Sequence, residues 1–257
     1  MTTAHASPPH DDEAGYERGY LWLVAIFIAA LVATNLIFQK FFMVRLPWIG
    51  EGYEFAQSVA LLAYPVTFLA TDILSEAYGR KRANEVVTAG FLASIFVLGL
   101  VELADLAPSA PFGIGDETFH RVFGLSKVNL FASMSAYLAA QYVDIRVFHV
   151  LKRLTRGRHL WLRNNFSTFT SQFLDTFIVL ALLATLGGAS VGITWERVPK
   201  LMLDGLLFKW SFALIDTPLF YLAIGILRRR FPRNMARVDA LDGAGPEAKV
   251  AESAASH

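Results

Sequence analysis

The sequence predicts an all-α fold, a single bundle of six transmembrane helices. Three observations carry that expectation. Of 257 residues, 54% are hydrophobic. Only 18% are charged, against about 25% in an ordinary soluble domain, and the charges are crowded into short runs. Between those runs lie apolar blocks of about 20 residues, each long enough to cross a bilayer, where a helix satisfies its own backbone. There is no cysteine, which excludes disulfides and thiolate chemistry. A net charge of +1 gives no reason to expect a nucleic-acid partner.

Residues 1–18 are polar and mildly acidic, and are expected to form a disordered tail. They are not a cleavable signal, because the apolar run that follows is long enough to span. The transmembrane domain is expected over 19–231, with spans at about 20–41, 57–79, 84–106, 128–151, 166–187 and 198–227. A loop with Pro47, Trp48 and Gly50 follows the first span. Pro65 removes a backbone hydrogen bond in the second, so a kink is expected there. A tight GRKR turn, a Pro/Gly-rich loop (APSAPFGIGDE) and a basic loop (KRLTRGRHLWLR) come next. Gly187-Gly188 stop the fifth span. Residues 232–257 read as a disordered, Ala/Gly-rich tail.

Lys/Arg asymmetry sets orientation. With the N-terminus inside, the inner segments hold Arg18; Arg80, Lys81 and Arg82; Lys152, Arg153, Arg156, Arg158 and Arg163; Arg228, Arg229, Arg230, Arg233, Arg237 and Lys249. The outer segments hold Lys40, Arg45, Arg121, Lys127, Arg197 and Lys200, a bias of 15 to 6. Both termini are therefore expected in the cytoplasm.

Charge inside a span is costly, about 2.5–3.5 kcal/mol at a helix centre, and usually faces a cavity or a partner. In the fifth span Asn164, Thr168, Ser171 and Asp175 recur at i, i+4, i+7 and i+11 with Gln172 beside them, one face of a helix. Ser133, Tyr137, Gln141 and Asp144 make a similar stripe on the fourth. The sixth places Lys209 and Asp216 on one face, and the first offers Asn35 and Gln39. Asp72 and Glu76 share one side of the second, with Tyr64, Thr67 and Thr71 on another. Membrane Ser and Thr commonly bond back to the helix or glue it to a neighbour, the reading for Ser133, Thr67 and Thr168. Arg146 pairs with Asp144 or snorkels. Lys209 neutralises Asp175 or Asp216. Glu76 ties its helix end to the basic turn, and Asp72 lines the cavity or holds its gate. Asp175 and Asp216 fall near mid-span and are expected to be functional, with Gln172.

A cavity lined by carboxylates, amides and aromatic rings suits a flat, polar, uncharged ring. A carboxylate accepts two parallel hydrogen bonds from a guanine-like edge. No Gly-rich phosphate loop lies in a span, and the six histidines show no clustering near one, so neither a cofactor nor a metal is expected. No hydrolase motif such as GxSxG or HExxH occurs, which argues against an enzyme.

The stretch YPVTFLATDILSEAYGRKRA (64–83) resembles the signature of the queuosine precursor transporter family, within the vitamin uptake transporter group. It supplies Pro65, Phe68, Thr71-Asp72, Glu76, Tyr78-Gly79 and the basic residues after them. Further similarity runs through ATNLIFQKFF (33–42), AQYVDIRVFHVLKR (140–153), RNNFSTFTSQFLDT (163–176) and the Lys209 to Thr217 region. The resemblance implies inner-membrane uptake of 7-deazaguanine bases for queuosine salvage. By depth, the expected substrate-binding residues are Asp175, Gln172, Asp216, Lys209, Asp144, Gln141, Asp72, Tyr137 and Asn35. The competing expectation is the substrate-capture subunit of an energy-coupling-factor importer, partnered with an ATPase module. Ala25, Ala29 and Ala33 would then be a face for another helix.

Overall fold

The structure, a computed structural model, describes residues 9–37, 40–45, 54–123, 127–156, 158–186 and 193–243. Among these, seven α-helices dominate: α1 (Pro9–Ile37), α2 (Tyr64–Asp105), α3 (Asp116–Phe123), α4 (Lys127–Leu154), α5 (Leu160–Leu186), α6 (Val198–Arg230) and α7 (Pro232–Gly243). Four segments are long and apolar enough to cross a membrane: Glu13–Ile37, Tyr64–Asp105, Leu160–Leu186 and Val198–Arg230. The protein is an all-helical, multi-pass membrane bundle.

Its polarity is inside-out relative to a soluble fold. On α5 the polar stripe Asn164, Thr168, Ser171 and Asp175 is buried, while Phe166, Phe173 and Phe177 are 42–52% exposed on the other side. Lipid is as apolar as those rings, so polar groups are better placed inside the bundle, where they find partners.

An antiparallel hairpin, β1 (Phe41–Arg45) with β2 (Glu54–Ser58), follows α1. It was not anticipated in a purely helical reading. FFMVR is rich in aromatic and β-branched residues, which fit a pleated ribbon. Pro47, Trp48 and Gly50, like Gln39 and Gly187-Gly188, lie outside the described residues. Val59 N–H donates to Lys40 C=O, so the chain re-enters the bundle beside the end of α1.

That contact fixes the path of α2. Its first residues start beside the end of α1, whereas Tyr16 near the start of α1 donates a hydrogen bond to Ala77 C=O. Asn35, near the end of α1, reaches Ser94. The chain therefore reverses in between, at Gly79 (φ 82°, ψ 167°), in a region of backbone space essentially reserved for glycine. The reversal divides α2 into a first arm (64–78) and a second arm (80–105). Close packing of the second arm requires another glycine. A Cβ at Gly90 would lie 2.7 Å from Phe27 and 3.0 Å from Leu31.

Three expectations are corrected here. Pro65 does not kink a span, because it sits in the first turn of α2, where its missing N–H has no intrahelical partner to lose. Residues 232–243 are not part of a disordered tail. They form α7, which starts at Pro232, buries Met235 and ties Asp239 and Asp242 to Lys152 of α4. At the other end, α1 begins at Pro9 and buries Tyr16, within the segment expected to be a disordered tail. Buried apolar residues including Phe27, Leu31, Leu74, Val87, Phe148 and Phe220 fill the core shared by α1, α2, α4 and α6.

Candidate functional site

The first arm of α2 and α5 run antiparallel, and their polar residues meet in three layers. Stepping from Tyr64 to Asp72 to Glu76 on α2 is matched by stepping back from Asp175 to Thr168 to Arg163 on α5. Helical side chains three or four residues apart share a face, so two such stripes in antiparallel register zip together.

The first layer centres on Asp175. Tyr64 donates to Asp175 Oδ2 at 2.7 Å, and Lys209 Nζ of α6 reaches the same oxygen at 2.6 Å. Lys209 also donates to Thr176 Oγ1 at 3.0 Å and lies 4.5 Å from the centre of the Tyr64 ring, a cation–π contact. Between these groups is a closed cleft lined by Tyr64, Pro65, Gln172, Phe208, Lys209, Phe212, Ala213 and Asp216. Its free volume of about 10 Å³ is room for about one water. Gln172 Oε1 is buried there with no hydrogen-bond partner among the described residues. Of the two partners considered for Lys209, the structure selects Asp175. Asp216, half-buried, lines the cleft instead.

The second layer holds Asp72 and Asp144 of α4, both buried, against hydroxyls one turn apart on α5. Thr168 donates to Asp72 at 3.3 Å and Ser171 to Asp144 at 2.9 Å. Gln141, fully buried on the same face of α4, has no partner for either amide atom among the described residues. Arg146 is exposed. Two residues from Asp144, it points to the opposite side of the helix and snorkels rather than pairing.

The third layer is a charge network. Glu76, fully buried, accepts from Arg163 Nη2 at 2.5 Å and from Arg228 Nη2 at 2.7 Å, with Lys152 Nζ 3.5 Å away. Lys152 continues to Asp239 (2.9 Å) and Asp242 (3.2 Å) of α7. Burial pushes the Asp242 carboxyl above its usual range, with Lys152 pulling it back. The expected tie between Glu76 and the basic turn is corrected. Its partners come from α4, α5 and α6, and Arg82 of the turn pairs with Glu17 of α1.

Seven of the nine expected binding residues thus fall in the first two layers. The other two bond elsewhere. Asn35 donates to Ser94, and Tyr137 donates to Val87 C=O at 3.4 Å, so both join helices around the second arm of α2. Tyr64, Phe208 and Phe212 were missed as lining residues. Tyr64 alone had a signal, standing eight residues, a little over two turns, before Asp72.

Residues 58–223 match the family described as "Putative vitamin uptake transporter". A Bacillus subtilis protein named "Probable queuosine precursor transporter" is 29% identical over 67% of this chain and 74% of its own length. A Haemophilus influenzae protein of the same name is 23% identical over 68% of the chain and 74% of its length. The Escherichia coli "Queuosine precursor transporter" is 25% identical over 62% and 66%. No solved structure is significantly similar. These are transporters, not enzymes, and with the family match covering well over half of its length and the residues of the first two polar layers, the chain belongs to the vitamin uptake transporter family.

Proposed function

We propose that this chain is an inner-membrane uptake transporter for queuosine precursors, 7-cyano-7-deazaguanine and 7-aminomethyl-7-deazaguanine, serving queuosine salvage. It crosses the membrane six times with both termini in the cytoplasm. The reversal at Gly79 supports two passes within α2, α4 packs between α2 and α5 as a further pass, and the Lys/Arg bias supports the orientation. The names of the three relatives support the substrate class.

The observation that carries the reading is the small cleft beside Asp175, whose partners Tyr64 and Lys209 line it. The adjacent Asp175 carboxylate, the unpartnered amide oxygen of Gln172 and the flanking phenylalanines match the ring N–H, amino group and flat face of a deazaguanine. The cleft is too small for a bicyclic base, so binding requires opening. Lys209 occupies the carboxylate that the base would use, and exchange of one for the other couples occupancy to movement of α6 against α5. Such exchange avoids leaving the buried carboxylate unpaired.

A second reading, the capture subunit of an ATP-driven importer, draws on one observation: Ala25 and Ala29 are exposed on α1, an open small-residue face. Uptake of radiolabelled 7-cyano-7-deazaguanine into proteoliposomes containing only this chain separates the two. Accumulation is expected. Binding without uptake would favour the capture subunit, and neither would remove this substrate.

A further inference from the structure

We propose that the Asp72–Asp144 pair is the proton-binding site through which this protein couples uptake to a proton gradient. The inference rests on the transport reading but not on which base is carried.

The two carboxyls belong to facing helices, the first arm of α2 and α4, and are 3% and 0% exposed. Each keeps one oxygen, Asp72 Oδ1 and Asp144 Oδ2, without a hydrogen-bond donor among the described residues. Two buried carboxyls held by hydroxyls one turn apart on the same helix are like charges in a dry site, and such neighbours do not both ionise. The donors on hand do little to relieve them. Thr168 Oγ1 lies 2.8 Å from Asn164 C=O and 3.3 Å from Asp72, and it has a single hydrogen to give. Ser171 divides its hydrogen between Thr168 C=O and Asp144.

The surrounding charged groups are committed elsewhere or are themselves acidic. On α5, Asp175 is held by Lys209 of α6, and Arg163 is held by Glu76. On α2, Glu76 is met by three cations and Tyr64 donates to Asp175. Asp216 of α6 is a further acid and lines the neighbouring cleft. An independent sign of a ligand stands beside the pair. Gln141, one turn from Asp144 on the same face, is fully buried with both amide atoms unpartnered, and Ser75 Oγ, one turn from Asp72, is likewise buried and unpartnered. These are polar groups for a water that relays the proton.

The pair also lies where coupling needs it. Thr168, Ser171 and Asp175 share one stripe of α5, so the helix that touches both carboxyls also carries Asp175, which bonds Tyr64 and Lys209 of the cleft. A proton arriving from outside takes the pair from one negative charge to none, and its departure to the cytoplasm returns that single charge to the buried seam between α2 and α4.

The test uses the full chain in sodium-free proteoliposomes with the exterior acid. Wild type is expected to accumulate radiolabelled 7-cyano-7-deazaguanine. Asp144→Asn and Asp72→Asn should lose accumulation at least tenfold, and the uptake that remains should no longer respond to the proton gradient. Undiminished accumulation by either variant would overturn the assignment, as would wild-type accumulation driven by a sodium gradient at clamped pH, or equilibration without accumulation. A failure of the substrate reading shows differently, as neither uptake nor exchange by wild type. The proton site is then read by infrared titration of the purified protein. A carboxylic C=O band in wild type that is missing in Asp144→Asn supports it, and no such band in wild type overturns it.

Discussion

Glu76 and Asp72 stand one helical turn apart on the same arm of α2, and their surroundings are opposite. Glu76 is met by two guanidiniums and an ammonium from three other helices. Asp72 meets a hydroxyl of α5, whose next turn holds a second buried carboxyl, Asp144. One arrangement closes the basic end of the bundle by saturating a charge. The other leaves a charge unsatisfied at the depth where the bundle must respond to something. Burial alone does not separate a structural carboxylate from a working one; the number of cations brought to it does.

The sharpest test is to neutralise each in turn. Glu76→Gln leaves Arg163 buried beside a neutral amide, and removing one partner of a buried pair costs about 3–5 kcal/mol. Thermal unfolding in detergent should show a large drop. Asp72→Asn should leave the melting temperature within a few degrees of wild type, because it removes repulsion rather than attraction. Equal losses would dissolve the distinction.

The Asp175 layer falls between these extremes, with its carboxylate paired but available. Asp175→Asn should weaken binding of 7-cyano-7-deazaguanine by about 10- to 100-fold, on the scale of a hydrogen bond to a charged group, about 1.5–3 kcal/mol. The protein should remain monodisperse. Unchanged affinity by isothermal titration would move the substrate away from this layer.

Gly79→Ala asks whether the joint between the arms holds the layers in register. A Cβ would have room, its nearest neighbour being Val238 at 3.5 Å, so the cost is backbone strain of about 1–3 kcal/mol. A stability loss larger than that would mean the Glu76 network had been displaced as well.

The smallest effect is expected at the exposed end. His120 of α3 bonds Asp105 at the end of α2, and that partner raises its pKa above the ordinary 6.5. The tie is complete below the unfolded value and is lost as pH rises through the raised folded one. Asp105→Asn should return the His120 titration, followed by NMR, toward its ordinary value with no measurable change in transport.

Much of this was legible in one dimension. The stripe from Asn164 to Asp175 and that from Gln141 to Asp144 are helix faces by spacing alone, and both face inward. Partner choice was not legible. Glu76 finds Arg163 and Arg228 at separations of 87 and 152 residues, whereas the basic turn beside it is engaged with α1. Nor could spacing reveal that Asn35 and Tyr137 face the second arm of α2, since their partners are Ser94 and a backbone carbonyl. Pro65 misled because the 3-10 turn Val59–Leu62 that sets the start of α2 has no strong sequence mark. Residues 232–243 misled because they run into the Ala/Gly-rich stretch that set the reading of the whole tail, whereas Asp239 and Asp242 bond Lys152.

The joint at Gly79 also governs where the molecule tolerates foreign sequence. Insertions succeed where the backbone is exposed and unbonded, and here two arms leave a single residue with Glu76 three positions upstream. A reporter or protease site spliced at 79–82 would prise Glu76 from Arg163 and read out a broken protein instead of its topology. The exposed loop 107–115 between α2 and α3 is the place to attach one.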